Sequence, residues 1–264
     1  MSKWKKHDFS NKFITVLKLY FIMAESKDEK SSKSIIGPIL LSVIAFLVFS
    51  LCFFPIVLVG YIVLRYIAFT SLWHFLLLPF IIYIGAIILI ISVLLISGVI
   101  IKLFNIRYKP GTYKYSYNDK NSFRWIIICT LYTPCRWILE TFPLAGFKNV
   151  YLRLLGMKIG KNSLIGGAIK DPCVTDFGNN TTMGEYAVVY GHIHNYEKGI
   201  ITISKVKVGN GCIVGAGAII MPGAVLQDNV TLAAGALVTK NQILEKGKTY
   251  GGIPAKEITK RKIK

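Results

Sequence analysis

Aliphatic side chains recur at every sixth position in the C-terminal part of the chain, and the register does not slip. The positions are Val208, Val214, Ile220, Leu226, Leu232, Val238 and Leu244. An amphipathic helix would alternate spacings of three and four, and a half-buried strand would alternate every two residues. A strict period of six is instead typical of a parallel β-helix, in which short strands wrap a narrow core.

A second block with the same period lies upstream and supports this interpretation. Its inward positions are Ile159, Ile165, Asp171, Phe177, Met183 and Val189, so Asp171 is the one polar residue of the ladder. Glycine follows many inward residues, at corners where a positive φ costs other residues more. The fifth position of each hexad is mostly small or β-branched, as a narrow core requires.

The two blocks are out of phase with each other. From Val189 to Val208 is nineteen residues, which is one more than three hexads. We therefore expect residues 195–207 to interrupt the coil. The second half of this segment alternates like a strand, so the protruding loop should be short and lie at residues 195–199. Loops that project from a rigid scaffold often carry function.

Two histidines lie at the base of this expected loop. His192 and His194 flank Ile193, a fifth-position residue, so both should point outward. Histidine titrates near neutral pH and can take a proton from a hydroxyl or an amine. Glu197 is a candidate to fix the tautomer of His194. Spacing alone leaves open whether His194 is catalytic or inert, and whether Glu197 orients it or anchors the loop.

A long apolar stretch precedes the repeats. Between residues 35 and 101 the only formal charge is Arg65. The uncharged segments on either side, residues 35–64 and 66–101, each exceed the roughly 20 residues that span a bilayer core. We predict a transmembrane helical hairpin that turns near residues 65–73. Its length and position disfavour a secretory signal peptide.

These patterns divide the chain into four segments. They are a basic N-terminal segment (1–34), the transmembrane hairpin (35–101), a juxtamembrane segment (102–149) and the β-helix domain (150–264). Residues 9–21 are expected to form an amphipathic helix. Residues 122–147 are apolar but carry charges, and we expect them to lie at the membrane interface rather than form a third span.

The formal net charge is +19, and basic residues flank the apolar stretch on both sides. Eight lysines precede it, whereas the connecting turn carries only Arg65. The N-terminus and the β-helix should therefore both face the cytoplasm, in an integral protein of the cell membrane. Basic flanks suit anionic membrane lipids. The sequence has no nucleic-acid-binding motif, and its five cysteines form neither a disulfide framework nor a zinc motif. We expect no nucleic acid and no metal.

The repeats resemble those of the hexapeptide-repeat acyltransferases over about residues 147–258. The resemblance is carried by the hexads, by the His194 to Glu197 spacing, and by the ending Gly251, Gly252, Ile253, Pro254, Ala255 and Lys256. It implies a mainly β fold, a left-handed parallel β-helix, which forms a homotrimer and binds acetyl-CoA or another acyl-CoA between subunits. Residues 147–160 and 194–197 look closest to the membrane-embedded C-terminal domains of poly-lysine-synthetase-like peptide synthetases.

The resemblance also implies roles for individual residues. His194 matches the catalytic histidine, which acts as general base on the acceptor. Glu197 would orient it, and His192 would line the acceptor site. The positions that would contact the pantetheine arm and the nucleotide end of CoA are Ala218, Ala236, Thr239, Lys240 and Lys256.

Together these features predict a membrane-anchored acyltransferase that acts on a membrane-associated hydroxyl or amine. Three alternatives remain open. One is a condensing or aminoacyl-transfer domain that works with a carrier-protein partner, and another is a non-catalytic trimeric membrane scaffold. The third is a β-helix carbonic anhydrase, which needs three histidines on a metal. It is disfavoured because His7 and His74 lie outside the repeats.

Overall fold

The computed structural model describes residues 36–66, 70–142 and 145–258. Its described part contains four α-helices, with the bounds α1 Ile36–Tyr66, α2 Leu72–Leu103, α3 Lys120–Thr141 and α4 Ala145–Leu154. The amphipathic helix expected at residues 9–21 lies outside the described residues.

Helices α1 and α2 pack against each other as the expected hairpin. Both are long and apolar enough to cross a membrane, by length and composition. Most of their large side chains point away from the protein; Phe46, for example, is 70% exposed and Phe80 is 67% exposed. Apolar surface of this extent is unfavourable in water.

Two glycines let the open end of the hairpin lie close to Tyr117 and to helix α4. A Cβ at Gly37 would lie 2.5 Å from Cγ of Tyr117, and a Cβ at Gly98 would lie 3.1 Å from the ring of Tyr151. A Cβ at Gly37 would require Tyr117 to shift, whereas a Cβ at Gly98 would displace the flexible side chain of Leu154. The rest of the protein is therefore attached at the end of the hairpin where α1 begins and α2 ends.

Short strands make up most of the remaining structure. They are β1 Gly111–Lys114, β2 Lys158–Ile159, β3 Leu164–Ile165, β4 Ala168–Ile169, β5 Thr175–Phe177, β6 Thr182–Met183, β7 Val188–Val189, β8 His192–Asn195, β9 Ile200–Ile203, β10 Val206–Val208, β11 Ile213–Val214, β12 Ile219–Ile220, β13 Val225–Leu226, β14 Thr231–Leu232, β15 Leu237–Val238, β16 Ile243–Leu244, β17 Thr249–Gly251 and β18 Lys256–Glu257. A 3-10 turn spans Pro172–Val174.

Three parallel sheets form the faces of the coil, and each is built from strands of successive turns. Their strand orders are β16-β13-β10-β5-β2, β17-β14-β11-β6-β3 and β15-β12-β7-β4, and β18 adds antiparallel to β17. Val208 pairs with Leu226, and Leu226 pairs with Leu244, so each coil advances eighteen residues. The predicted parallel β-helix is confirmed. Its ladder residues and the small side chains of Ala218 and Ala236 form the buried core.

The first coil departs from the expected register on its third face. Ile169, rather than Asp171, is the inward residue there, since it pairs with Val189 and is fully buried. It lies only four positions after Ile165, the inward residue of the preceding face, instead of the usual six. Asp171 consequently lies at the following corner, just before the 3-10 turn, and it is fully buried there as well.

The interruption between the two blocks is also longer than expected. Phe177 pairs with Val208, thirty-one residues later, thirteen more than in an ordinary coil. The extra residues form a hairpin of β8 and β9 rather than a short loop at residues 195–199. Strand β1 pairs with β9, so a three-stranded antiparallel sheet joins the juxtamembrane segment to the coil. The strand-like alternation is confirmed, because Ile201 and Ile203 are buried.

Helices α3 and α4 connect the apolar hairpin to the first coil. Side chains of α4 cap the coil's open edge: Lys148 Nζ donates to the carbonyl of Gly166 and Asn149 Nδ2 to that of Ser163, both at 2.9 Å. These bonds satisfy carbonyls for which no preceding coil exists. Helix α3 is buried on most sides over its first half, whereas its second half exposes Thr133, Pro134, Trp137 and Glu140. Among the described helices, α1 and α2 are the two with the length and hydropathy of a span.

Candidate functional site

The site is built around the buried carboxylate of Asp171. Its Oδ1 accepts hydrogen bonds from the hydroxyl of Tyr108 at 3.1 Å and from Nε1 of Trp125 at 3.0 Å. Its Oδ2 accepts one from the backbone N–H of Gly191 at 2.7 Å and lies 2.7 Å from Nδ1 of His192. The segment before β1, helix α3, a coil corner and strand β8 therefore meet at one side chain.

A side chain at position 191 would break this arrangement. A Cβ added to Gly191 would lie 2.7 Å from Cβ of Asp171 and 2.6 Å from Cγ2 of Val174. Glycine is the residue that lets this backbone N–H reach the carboxylate. The close approach follows from the shifted register of the first coil, which brings Asp171 directly beside Gly191 of the next coil.

These contacts determine the protonation of Asp171. Burial acts to raise the pKa of the carboxyl, but the hydrogen bond and charge of His192 and the bonds from Gly191 and Trp125 hold it below its ordinary value. Burial, together with the nearby Asp171, raises the pKa of Tyr108 well above its usual range, so its phenol stays a donor. An ionised carboxylate accepts only, so Nδ1 of His192 is the donor, and Nε2 is the nitrogen that acts as an acceptor when the ring is neutral.

His194 lies next to His192, with ring centroids 5.2 Å apart. Burial, followed by the neighbouring His192, lowers the pKa of His194, so its imidazole is neutral at pH 7. Its Nδ1 is buried and has no hydrogen-bond partner among the described residues. The expectation that His192 and His194 flank an inward Ile193 is wrong. Residues 192–195 form strand β8 of the inserted hairpin, and both histidine rings contact Trp125 of helix α3.

Aromatic rings surround the histidine pair. The centroid of Trp125 is 4.7 Å from that of His192 and 5.1 Å from that of His194. Tyr115 contacts His194 edge-on at 4.7 Å, and Tyr196 stacks on it at 5.3 Å. Tyr196 is 79% exposed, whereas the His192 side chain is 17% exposed. The histidine pair is therefore packed among aromatic rings, with Tyr196 exposed at the turn of the hairpin.

Glu197 does not hold either histidine. It is exposed in the turn between β8 and β9, and it forms no hydrogen bond or ion pair with the residues that the structure describes. The carboxylate partner in the site is Asp171, twenty-one positions before His192. The sequence did contain a signal for it, because Asp171 was the polar exception in an apolar ladder.

The residues expected to contact CoA lie on later coils. Ala218 and Ala236 are fully buried and stacked, since the N–H of Ile219 donates to the carbonyl of Ala236 at 2.8 Å. Their own N–H groups make long bonds of 3.3 Å, to the carbonyls of Gly215 and Ala233.

The remaining cofactor positions lie at the coil corners and the chain's last strand. Thr239 follows β15 at a corner that is aligned with the one from which the β8–β9 hairpin emerges. It lies two coils further on, which is about 10 Å along the axis. Its N–H donates to Oε1 of Gln242 at 2.9 Å. Lys240 and Lys256 are exposed, and Lys256 pairs with Gly251. A single chain therefore does not bring these five residues into contact with the histidines.

The described residues contain no group of three or more His, Cys, Asp or Glu side chains placed to hold a metal ion. His74 lies in the first turn of α2, where its Nδ1 accepts from the N–H of Ser71. The arrangement of three histidines considered for a carbonic anhydrase does not form within the described part of one chain.

The repeats match a known family model. The model described as bacterial transferase hexapeptide (six repeats) matches residues 205–240, which run from β10 to the end of β15. A repeat of this kind implies that the β-helix is left-handed. The comparison with curated proteins gives no match.

Several solved structures are similar to the chain. A maltose O-acetyltransferase from Clostridium difficile 630 is 19% identical, with 56% of this chain and 91% of that chain covered and a TM-score of 0.42. A hexapeptide transferase family protein from Anaplasma phagocytophilum is 26% identical over 39% of this chain, with a TM-score of 0.31. The match spans about half, 54%, of that protein. A galactoside acetyltransferase in complex with coenzyme A is 18% identical, with 43% and 70% covered and a TM-score of 0.34.

The hydrogen bond from Trp125 to Asp171 yields a stability prediction. Trp125→Phe keeps an aromatic ring against the histidines but removes one donor to a buried charge. We expect it to lower the free energy of unfolding by about 1–3 kcal/mol, measured by denaturation of the purified protein in detergent. Because the pKa of Asp171 is lowered on folding, this loss should be full near neutral pH and shrink as acid protonates the carboxyl.

The matched control is Trp137→Phe, which changes a side chain that is 63% exposed. It should change the free energy of unfolding by less than about 0.5 kcal/mol. Equal effects of the two substitutions would contradict a stabilising bond between Trp125 and Asp171.

Proposed function

We propose that this protein is a membrane-anchored acyltransferase that moves an acyl group from acyl-CoA to a hydroxyl or amine of a membrane-associated acceptor. The observation that carries the proposal is the 2.7 Å contact between the fully buried Asp171 carboxylate and His192, next to coils that match a transferase hexapeptide repeat. An imidazole held by a buried carboxylate is suited to general base catalysis.

In this proposal His192 is the general base, rather than His194 as the sequence alone suggested. Asp171 fixes Nδ1–H, so Nε2 can take the proton of the acceptor's O–H or N–H group while that atom attacks the thioester carbonyl. The C–S bond breaks as the new ester or amide bond forms. The imidazolium then returns the proton to the departing thiolate of CoA. No covalent enzyme intermediate is needed.

His194 has a different part in this scheme. Its lowered pKa keeps it neutral near pH 7, and its ring contacts Tyr115 and Tyr196. A neutral imidazole there contacts the acceptor without adding a charge that would compete with the proton transfer. Glu197, exposed in the turn, contacts the acceptor or solvent in this scheme.

Acyl-CoA would lie along the later coils. The N–H groups of Ala218 and Ala236 make only long bonds within their corners, which favours their use by the pantetheine arm and the thioester oxygen. Thr239, Lys240 and Lys256 would hold the nucleotide end, where an exposed lysine suits a phosphate. These residues do not meet the histidines within one chain, which favours a homotrimer with the cofactor between subunits.

The apolar hairpin would anchor the enzyme, with its open end and the β-helix at the cytoplasmic side. An enzyme and an acceptor that are both held in the membrane lose less translational and rotational freedom when they meet. The exposed apolar surface of α1 and α2 supports the membrane anchoring, because bilayer lipid would cover it.

The enzymatic proposal is tested by radiolabelled acetyl-CoA added to native membranes that contain the protein. We expect transfer of label to a membrane-associated product. His192→Asn should lower the rate by about 10²–10⁴-fold, the usual contribution of a general base, and Asp171→Asn should lower it as well.

The matched variant His194→Asn should lower the rate much less than His192→Asn. Undiminished transfer by His192→Asn would contradict the assigned base, and loss confined to His194→Asn would transfer that role to His194. Binding of a phosphopantetheinylated carrier protein, with no binding of CoA, would instead favour the condensing function.

The membrane topology is tested by single added cysteines and a membrane-impermeant maleimide. Lys207→Cys changes an exposed residue of β10 and should react only after the cells are permeabilised. Tyr66→Cys, at the opposite end of α1 where the side chain is 82% exposed, should react in intact cells. Labelling of Lys207→Cys in intact cells would place the β-helix outside and contradict the topology.

A further inference from the structure

A second candidate site lies away from the histidine pair. A cavity of about 750 Å³ is lined by the C-terminal half of α3, the start of α4 and the first two coils. In these coils it lies at the corner that joins the second face to the third. Its apolar wall includes Leu139 and Ile165, and its polar wall includes Arg136, Lys148 and Lys170. The proposed acyl transfer uses none of these residues.

The cations of this cavity are not equally neutralised. Arg136 forms an ion pair with Glu140 at 3.1 Å, and Lys148 donates to the carbonyl of Gly166. Lys170 is partly buried, and its ammonium forms no hydrogen bond or ion pair with the residues that the structure describes. Burial, followed by the positive charge of Arg136, lowers the pKa of Lys170. An anion bound beside Lys170 would balance its positive charge and offset the cost of burying it.

The acidic residues of the lining do not fill that role. Glu140 is already held by Arg136, and Glu185 is exposed at the rim. Three basic side chains against two acidic ones leave the cavity with an excess of positive charge. A lysine ammonium and an arginine guanidinium are the groups that proteins use to bind phosphate.

The position of the cavity indicates where such a phosphate would come from. Helices α3 and α4 lie at the open end of the apolar hairpin, the level of the lipid headgroups if α1 and α2 cross a membrane. Phe142, which is 46% exposed, lines the cavity, and Trp137, which is 63% exposed, contacts Arg136 of the lining. Exposed aromatic side chains are enriched at the interface between a membrane and water.

We propose that this cavity binds the phosphate group of an anionic membrane lipid, with Lys170 as the principal contact and the apolar wall against the lipid's glycerol and upper acyl chains. The proposal rests on the membrane placement given above, but not on acyl transfer. Along α3, Arg136 is eleven residues from Trp125, or about 16 Å at the helical rise. Lys170 directly precedes Asp171, so the phosphate site adjoins the histidine site along the backbone, but its lining shares no side chain with that site, and lipid binding is measured without acyl transfer.

The test measures lipid affinity of the full chain, purified in a neutral detergent, by titration with soluble short-chain lipids. The probes are dioctanoyl-phosphatidylglycerol, dioctanoyl-phosphatidylcholine and inorganic phosphate. We expect the anionic lipid to bind at least tenfold more tightly than the zwitterionic lipid or free phosphate. Lys170→Gln should weaken binding of the anionic lipid by about tenfold, and Lys170→Arg should restore most of it.

The matched control is Lys161→Gln, an exposed lysine of the same coil that does not line the cavity. It should leave the affinity for the anionic lipid within twofold of the parent value. An unchanged affinity in Lys170→Gln, or an equal loss in Lys161→Gln, would overturn the proposal. Equal affinity for inorganic phosphate would assign the cavity to soluble phosphate compounds and overturn the lipid assignment. Lipid binding without acyl transfer would leave this proposal standing while contradicting the enzymatic one.

Discussion

A buried carboxylate, Asp171, is the interaction on which the arrangement of the site depends. Placing an ion in a protein interior costs several kcal/mol unless hydrogen bonds replace its water, and Asp171 receives them from four different parts of the chain. The segment before β1, helix α3, the corner at Gly191 and strand β8 are thereby fixed relative to one another. The same contacts orient His192 and bring Trp125 against both histidines. The stability of the interface between the helices and the coil therefore depends on Asp171, and so does the orientation of the proposed base.

The repeat made most of the fold predictable. A period of six over seven inward positions defines the eighteen-residue coil, the parallel sheets and the small side chains at Ala218 and Ala236. The apolar hairpin was equally predictable, because an uncharged stretch of that length leaves few alternatives. Both signals are local, so they can be recognised without knowledge of what each element packs against.

The site was predictable only in part. His192 and His194 were identified from their place beside the phase break, but their orientation and carboxylate partner were not. Gly166 and Gly167 shorten one corner by two residues, which moves Ile169 into the ladder and Asp171 out of it. That shift depends on packing against the neighbouring coil, and a sequence period cannot show it. The thirteen-residue insertion was likewise hidden, because a remainder of one in a period of six does not distinguish a bulge from a hairpin. The pairing of β1 with β9 joins residues about ninety positions apart, which no local pattern reveals.

The central claim is that Asp171 fixes the tautomer of His192 and leaves Nε2 free to accept a proton. Nitrogen NMR of protein labelled at its histidine side chains measures this directly, with His192→Asn used to assign the signal. The account predicts that His192 carries its proton on Nδ1 near neutral pH, and that Asp171→Asn abolishes this preference while the hairpin remains folded. A His192 protonated on Nε2 alone in the parent protein would contradict it.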